Sequence, residues 1–325
     1  MDDAARRGGD DTSPPRAPQT GTSHMTDMTV AWLGLGQMGL AMARNLAAGG
    51  FRLRAWNRTA EKARQLPDAT IAETPRAAAA GADLVVSMLA DDVAVESVVF
   101  GVDGILAGMK PGALHVGMST ISVALARRLA EAHPKAKSRY LSAPVFGRPD
   151  AAAARKLWVV PGGSPEDRAV AEPIFGVLGQ GTFPMDTAPQ ANLAKLVGNF
   201  MIAATVETIG EALALGEKGG IEPGHLMEML SGTLFGSLIV NGYGGRIAKT
   251  EFVPAGFSMP LGLKDVELAR AAASELGVPM PLADLAAARL RTAIDRGRAD
   301  FDWAGFATVI REEAGLSPLR NRDGR

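Results

Sequence analysis

From Met28 onward, short apolar runs alternate with alanine-rich stretches of helical spacing. MTVAWLG, FRLRAW, DLVVSML, ALHVGM and YLSAPV read as buried strands. The stretches up to about Ala48, near 60–66, near 91–99 and near 122–132 read as the helices between them. Strand and helix alternating at this pace predict βαβ units and a mostly parallel sheet. LWVV and TFPM, on either side of a helix near 165–177, add two more strand-like runs. After about Pro189 the strand signal stops. Pro189 to Lys218 has the spacing of one helix, closed by Gly219 and Gly220, and would be about 45 Å long at 1.5 Å per residue. Further helices are predicted near 223–231, 261–276, 281–296 and 303–314. The expected fold class is therefore α/β: a sheet domain over residues 28–188 and an all-α domain over 189–325, joined by the long helix. No internal repeat is visible.

Residues 1–27 are rich in Asp, Gly, Pro, Ser and Thr and nearly devoid of large aliphatics, so a disordered tail is expected there. Met25 and Met28 offer alternative starting points just before the first strand. Asp2, Asp3, Asp10 and Asp11 argue against a transit peptide, and no apolar core marks a secretion signal, so a cytoplasmic location is expected. The most apolar stretch, around 191–216, carries Lys195, Glu207 and Glu211, and no membrane span is predicted. The 325 residues include 34 basic and 35 acidic side chains, a net charge of −1, which argues against a nucleic-acid partner.

The chain has no cysteine, which removes disulfides, thiolate metal sites and cysteine nucleophiles. Its four histidines, His24, His115, His133 and His225, show no short metal-ligand spacing, so no metal site is expected. Chemistry must rest on Lys, Ser, Thr, Asn or Asp, or on a borrowed cofactor.

VAWLGLGQMGLAMARN places Gly34, Gly36 and Gly39 in G-x-G-x-x-G spacing after the first strand and at the opening of a helix, together with Leu35, Gln37 and Met38. In that context the glycines permit a tight turn, close approach to a pyrophosphate and close helix–strand packing. A turn without a ligand is the plainer alternative. Beyond the second strand stand Asn57, Arg58 and Thr59, where an NAD-binding protein usually carries an acid. Arg58 and Thr59 suit a 2′-phosphate, favouring NADP(H) over NAD(H), unless Arg58 is simply a solvated residue at a helix start. In ANLAKLVGNF, Lys195 and Asn199 share one helix face, with Asn192 one turn earlier. Apolar flanks and a nearby helix N-terminus both lower a lysine pKa toward the range useful for proton transfer. The alternative is an amphipathic helix whose lysine snorkels to water.

These segments, with WNRT, VSMLADD, GMSTIS, APVFGRPDAAAARKLWVVPGG, KLVGNF and GLKDVELA, resemble the ordered motifs of β-hydroxyacid dehydrogenases. That group spans 3-hydroxyisobutyrate dehydrogenase-like and 6-phosphogluconate dehydrogenase-like proteins and is related to imine reductases; the resemblance covers about residues 28–315. It implies a Rossmann-type dinucleotide domain, a helical C-terminal domain for substrate and dimerisation, and a homodimer. It also implies that Lys195 is the catalytic lysine with Asn199 as its partner. By the same likeness Ser119 and Thr120 lie near substrate and nicotinamide, Met88 and Leu89 touch the cofactor, and Lys264 stands beside it.

The chain departs from the family's D-A-P-V-S-G-G run, reading Ser142-Ala143-Pro144-Val145-Phe146-Gly147-Arg148, and a later expected glycine is Arg155. The Ser and Gly replaced by Phe146 and Arg148 usually help hold a substrate carboxylate. Phe146 removes a donor and narrows the pocket, whereas Arg148 either restores anion binding or points to solvent. Substrate contacts are expected from Ser119, Thr120, Phe146, Gly147, Arg148, Lys195 and Asn199. The leading expectation is NADPH-dependent interconversion of a small β-hydroxyacid with its semialdehyde, or of a related carbonyl. Alternatives are an imine reductase and a non-catalytic dinucleotide-binding protein.

Overall fold

The computed structural model describes residues 28–316. The tail expected over 1–27 lies outside the described residues, as do 317–325. The first strands and helices are β1 (Thr29–Leu33), α1 (Gln37–Ala48), β2 (Arg52–Trp56), α2 (Ala60–Ala63), β3 (Thr70–Ile71) and α3 (Pro75–Ala79). They continue as β4 (Leu84–Ser87), α4 (Asp92–Phe100), α5 (Ile105–Gly108), β5 (Leu114–Gly117), α6 (Val123–Lys135) and β6 (Arg139–Ser142). The six strands form one sheet in the order β3-β2-β1-β4-β5-β6, and every pairing is parallel. This is the Rossmann-type arrangement, whose strand order reverses beside β1.

Alternation along β1 shows why the sheet is covered on both faces. Val30 and Trp32 pack with Met42, Leu46 and Phe175, whereas Ala31 and Leu33 pack with Val85, Val95, Leu125 and Leu129. A second, three-stranded sheet follows, built from β7 (Val145–Phe146), β8 (Leu157–Val159) and β9 (Gly179–Thr182) with α7 (Pro149–Ala153) and α8 (Pro165–Leu178) between them.

The interdomain helix α9 (Ala188–Lys218) begins with a capping box: Thr187 Oγ1 accepts from Gln190 N, and Gln190 Oε1 accepts from Thr187 N. Its length and apolar composition would suffice to cross a membrane, yet it packs between the two domains and buries Lys195, Asn199 and Glu207. Among the described residues the rest is helical: α10 (Pro223–Ser231), α11 (Leu238–Lys249), α12 (Met259–Leu276), α13 (Pro281–Asp295), a 3-10 turn (Trp303–Phe306) and α14 (Ala307–Glu313). Trp303, Phe306, Val206 and Leu290 centre its core. The periodicity missed β3, α3, α5, β7, α7 and α11, most of them too short for a period to show. In α11 the glycines of NGYGGR weaken the helical signal. The strand expected at TFPM begins earlier, at Gly179, and pairs in parallel with β8.

A buried polar relay crosses the first domain. Ser87 Oγ lies 2.8 Å from His115 Nε2, His115 Nδ1 lies 3.0 Å from His133 Nε2, and His133 Nδ1 lies 2.8 Å from Leu129 O. A carbonyl only accepts, so His133 Nδ1 carries the proton and its Nε2 accepts from His115 Nδ1–H; Ser87 then donates to His115 Nε2. A proton added to His133 Nε2 would turn two N–H groups toward each other. Burial holds His133 at a pKa of about 4, and burial together with His133 holds His115 well below the ordinary value of 6.5. Both histidines therefore resist protonation when folded and accept it when unfolded. Stability is complete above about pH 6.5 and falls below it, by about 1.4 kcal/mol per pH unit for each titrating histidine. Thermal melts should show a level midpoint between about pH 6.5 and 7.5 and a decline below. His133→Asn, which keeps a donor to Leu129 but cannot titrate, should flatten that decline; an unchanged slope would remove the relay as its cause.

Candidate active site

The phosphate-side loop follows β1. Gly34 has φ of +101°, and a Cβ there would meet Met88 O at 2.2 Å; a Cβ on Gly39 would meet Gly34 O at 2.1 Å. These two glycines serve the protein's own packing. At Gly36, the residue before α1, a Cβ would meet nothing within 4 Å, so the open side of the loop lies where a pyrophosphate would approach the free N–H groups of the helix start. Leu35 N donates to Asn57 Oδ1 at 2.8 Å, and Asn57 Nδ2 donates to Thr59 O at 2.9 Å, joining the glycine loop to the end of β2. Arg58 and Thr59 are exposed beside them. Gln37 and Met38 form the first turn of α1, and Met38 leans on the core.

The opposite wall begins at the end of β4. Met88 N donates to Leu33 O, and Leu89 N donates to Ser119 Oγ at 2.7 Å. Having accepted there, the buried Ser119 keeps its own O–H to donate elsewhere. Asn192 Oδ1 accepts from Ile121 N at 3.5 Å and its amide donates to Ser142 Oγ at 2.5 Å, which ties this wall to α9.

Lys195 is the centre of a buried chain of contacts. Its Nζ donates to Asn199 Oδ1 at 2.9 Å, and Asn199 Nδ2 donates to Asp265 Oδ2. Asp265 Oδ1 lies 2.8 Å from Lys264 Nζ, which also donates to Thr120 O at 2.7 Å. The network thus joins α9, α12 and the Ser119–Thr120 turn. Lys195 Nζ also sits 4.2 Å from the centre of the Phe146 ring. Burial lowers the Lys195 pKa to about 8, with Asp265 pulling it up and Lys264 pushing it down. The helix places this amine among neighbours instead of letting it snorkel to water. Asp265, which adjoins Lys264 in the GLKD segment, is not among the residues expected from sequence, where its position next to a lysine is the available signal.

Arg148 turns inward and not to solvent. Its guanidinium crosses to the helical domain, 2.6 Å from the fully buried Asp302 Oδ2, and lies over the Tyr243 ring at 5.5 Å. Asp302 Oδ2 also accepts from Gly256 N and Phe257 N, so the arginine completes an internal carboxylate site. Gly147 has φ of +136°, and a Cβ there would meet Leu157 at 2.5 Å, so it turns the loop between Phe146 and Arg148. Arg155 holds φ of +59°, the left-handed region that favours glycine.

The NAD binding domain of 6-phosphogluconate dehydrogenase matches residues 29–190, and the NAD-binding of NADP-dependent 3-hydroxyisobutyrate dehydrogenase matches residues 190–310. An uncharacterized oxidoreductase, YfjR, of Bacillus subtilis is 42% identical over 87% of this chain and 100% of its own length. The chain belongs to the β-hydroxyacid dehydrogenase family. Glyoxylate/succinic semialdehyde reductase 1 of Arabidopsis thaliana is 30% identical, covering 87% of this chain and 99% of its own. The solved structure of Mycobacterium tuberculosis 3-hydroxyisobutyrate dehydrogenase with L-serine aligns with a TM-score of 0.79 at 29% identity, over 87% of this chain and 99% of that one. This β-hydroxyacid dehydrogenase is an NAD(P)-dependent dehydrogenase or reductase.

The Arg148–Asp302 pair yields a stability prediction. Arg148→Met leaves Asp302 buried without its cation and should cost about 3 kcal/mol in denaturant melts. Simultaneous Asp302→Ala should show non-additive coupling. Additive losses would mean that the two residues do not act as a pair.

Proposed function

We propose that the protein is an NADP(H)-dependent oxidoreductase that interconverts a small β-hydroxyacid and its semialdehyde, or a related carbonyl pair, with Lys195 as general acid and base. The observation that carries this reading is the buried amine of Lys195, with a pKa of about 8 and aligned by Asn199 and Asp265. The nicotinamide cofactor, when bound, supplies or accepts the hydride at the carbonyl carbon. Lys195 Nζ then protonates the developing alkoxide, with one of its N–H donors held by Asn199 and the others free to point to the oxygen. Ser119, with its own proton unspent, donates to the same oxygen. Gly36, Gln37 and Met38 line the place for the pyrophosphate, and Met88 and Leu89 the side for the nicotinamide. Retention of Lys195 with its Asn199–Asp265 support favours carbonyl over imine chemistry and an active enzyme over a non-catalytic binder.

Lys195→Ala should lower turnover by about 100- to 10,000-fold while leaving cofactor binding nearly unchanged. In wild type, reduction needs the protonated amine and should decline as pH rises through about 8, whereas alcohol oxidation needs the neutral amine and should rise through the same limb. A Lys195→Ala enzyme with normal kcat would refute the role.

The exposed Arg58 and Thr59, with no acid at the end of β2, support NADPH over NADH. Arg58→Ala should weaken NADPH binding about tenfold or more and leave NADH nearly unaffected. Tighter binding of NADH than NADPH by the wild type would overturn the preference.

A further inference from the structure

A cavity of about 460 Å³ opens beside the Lys195 network, lined by Phe146, Trp158, Val160, Phe183, Met185 and Ala194. All six side chains are apolar, and the Trp158 and Phe183 rings meet at 5.5 Å. Phe183 is 51% exposed. Ala194 immediately precedes Lys195 on α9. At 100° per residue, Gly198 lies about 40° and Lys195 about 100° round the helix from Ala194. Phe146 occupies the space over Gly198, where a Cβ would come within 2.4 Å of its ring. One ring therefore touches the Lys195 amine and also walls the cavity. The other cations of the neighbourhood are already engaged, Lys264 by Asp265 and Thr120 O, Arg148 by Asp302.

We propose that this cavity is the subsite for an apolar, uncharged substituent of the substrate, with Phe146 as the partition between that substituent and the reacting carbonyl. Phe146 is then a specificity-determining residue. Among the carbonyl compounds of the proposed function, on which this inference rests, the related carbonyls bearing an aliphatic or aromatic tail are preferred to the semialdehydes, whose tail is a carboxylate. A carboxylate tail would meet only apolar walls and would lose its hydration without gaining a partner.

Two amides of matched length test this without requiring turnover: 3-phenylpropanamide and succinamate place the same amide near Lys195 and differ only in the tail. With the full chain saturated with NADP+, calorimetry should give a Kd for 3-phenylpropanamide at least about tenfold below that for succinamate. Ala194→Phe, which fills the cavity, should raise the first Kd about tenfold or more and leave the second within about twofold. Phe183→Ser, at a half-exposed site, should raise the first several-fold. Equal or tighter binding of succinamate, no binding of either amide, or indifference of 3-phenylpropanamide to both variants would overturn the proposal. Loss of carbonyl turnover with the amide pattern intact would count against the Lys195 chemistry alone.

Discussion

A lysine ammonium removed from water is the constraint around which the two domains are arranged. Charge without solvent is unfavourable, and Lys195 answers that cost with one amide oxygen, one aromatic face and a carboxylate reached through Asn199. Each partner comes from a different part of the chain: Asn199 from α9 itself, Phe146 from β7, Asp265 from α12. The amine can be placed there only when the sheet domain and the helical domain close on the same helix. The same burial lowers its pKa to about 8, so one packing decision sets both where the amine sits and how firmly it holds its proton.

The cofactor side depends on a different constraint, the absence of side-chain atoms. Gly34 and Gly39 are glycine because Met88 O and Gly34 O occupy the space a Cβ would need, whereas Gly36 faces open space. The first two let β1, β4 and α1 approach one another, and the third leaves room for a ligand. Leu89 then carries the effect across the cleft, since its N–H bond to Ser119 couples the wall after β4 to the turn that Lys264 holds through Thr120 O.

Between these two sides runs the loop from Phe146 to Arg148, which makes contacts in both domains. Arg148 closes a carboxylate cage inside the helical domain, where Asp302 already accepts from three backbone N–H groups. Phe146 sets an aromatic face beside the amine. The loop thereby joins the two domains and sets an aromatic face beside the buried amine.

Local pattern alone determined a good deal. Strand–helix alternation, the glycine triplet at a strand–helix turn, the long helix and the Lys195–Asn199 spacing all follow from short-range geometry, because periods of two and 3.6 residues and i, i+4 neighbours are written along the chain. The ordered motifs carried the family. Tertiary structure alone decided which polar groups meet across large separations: Asn199 with Asp265, Lys264 with Thr120, His115 with His133, and Arg148 with Asp302. Arg148 illustrates the physical reason. Its partner Asp302 lies 154 residues away along the chain and is brought within reach by the packing of α9, α11 and the Trp303–Phe306 turn.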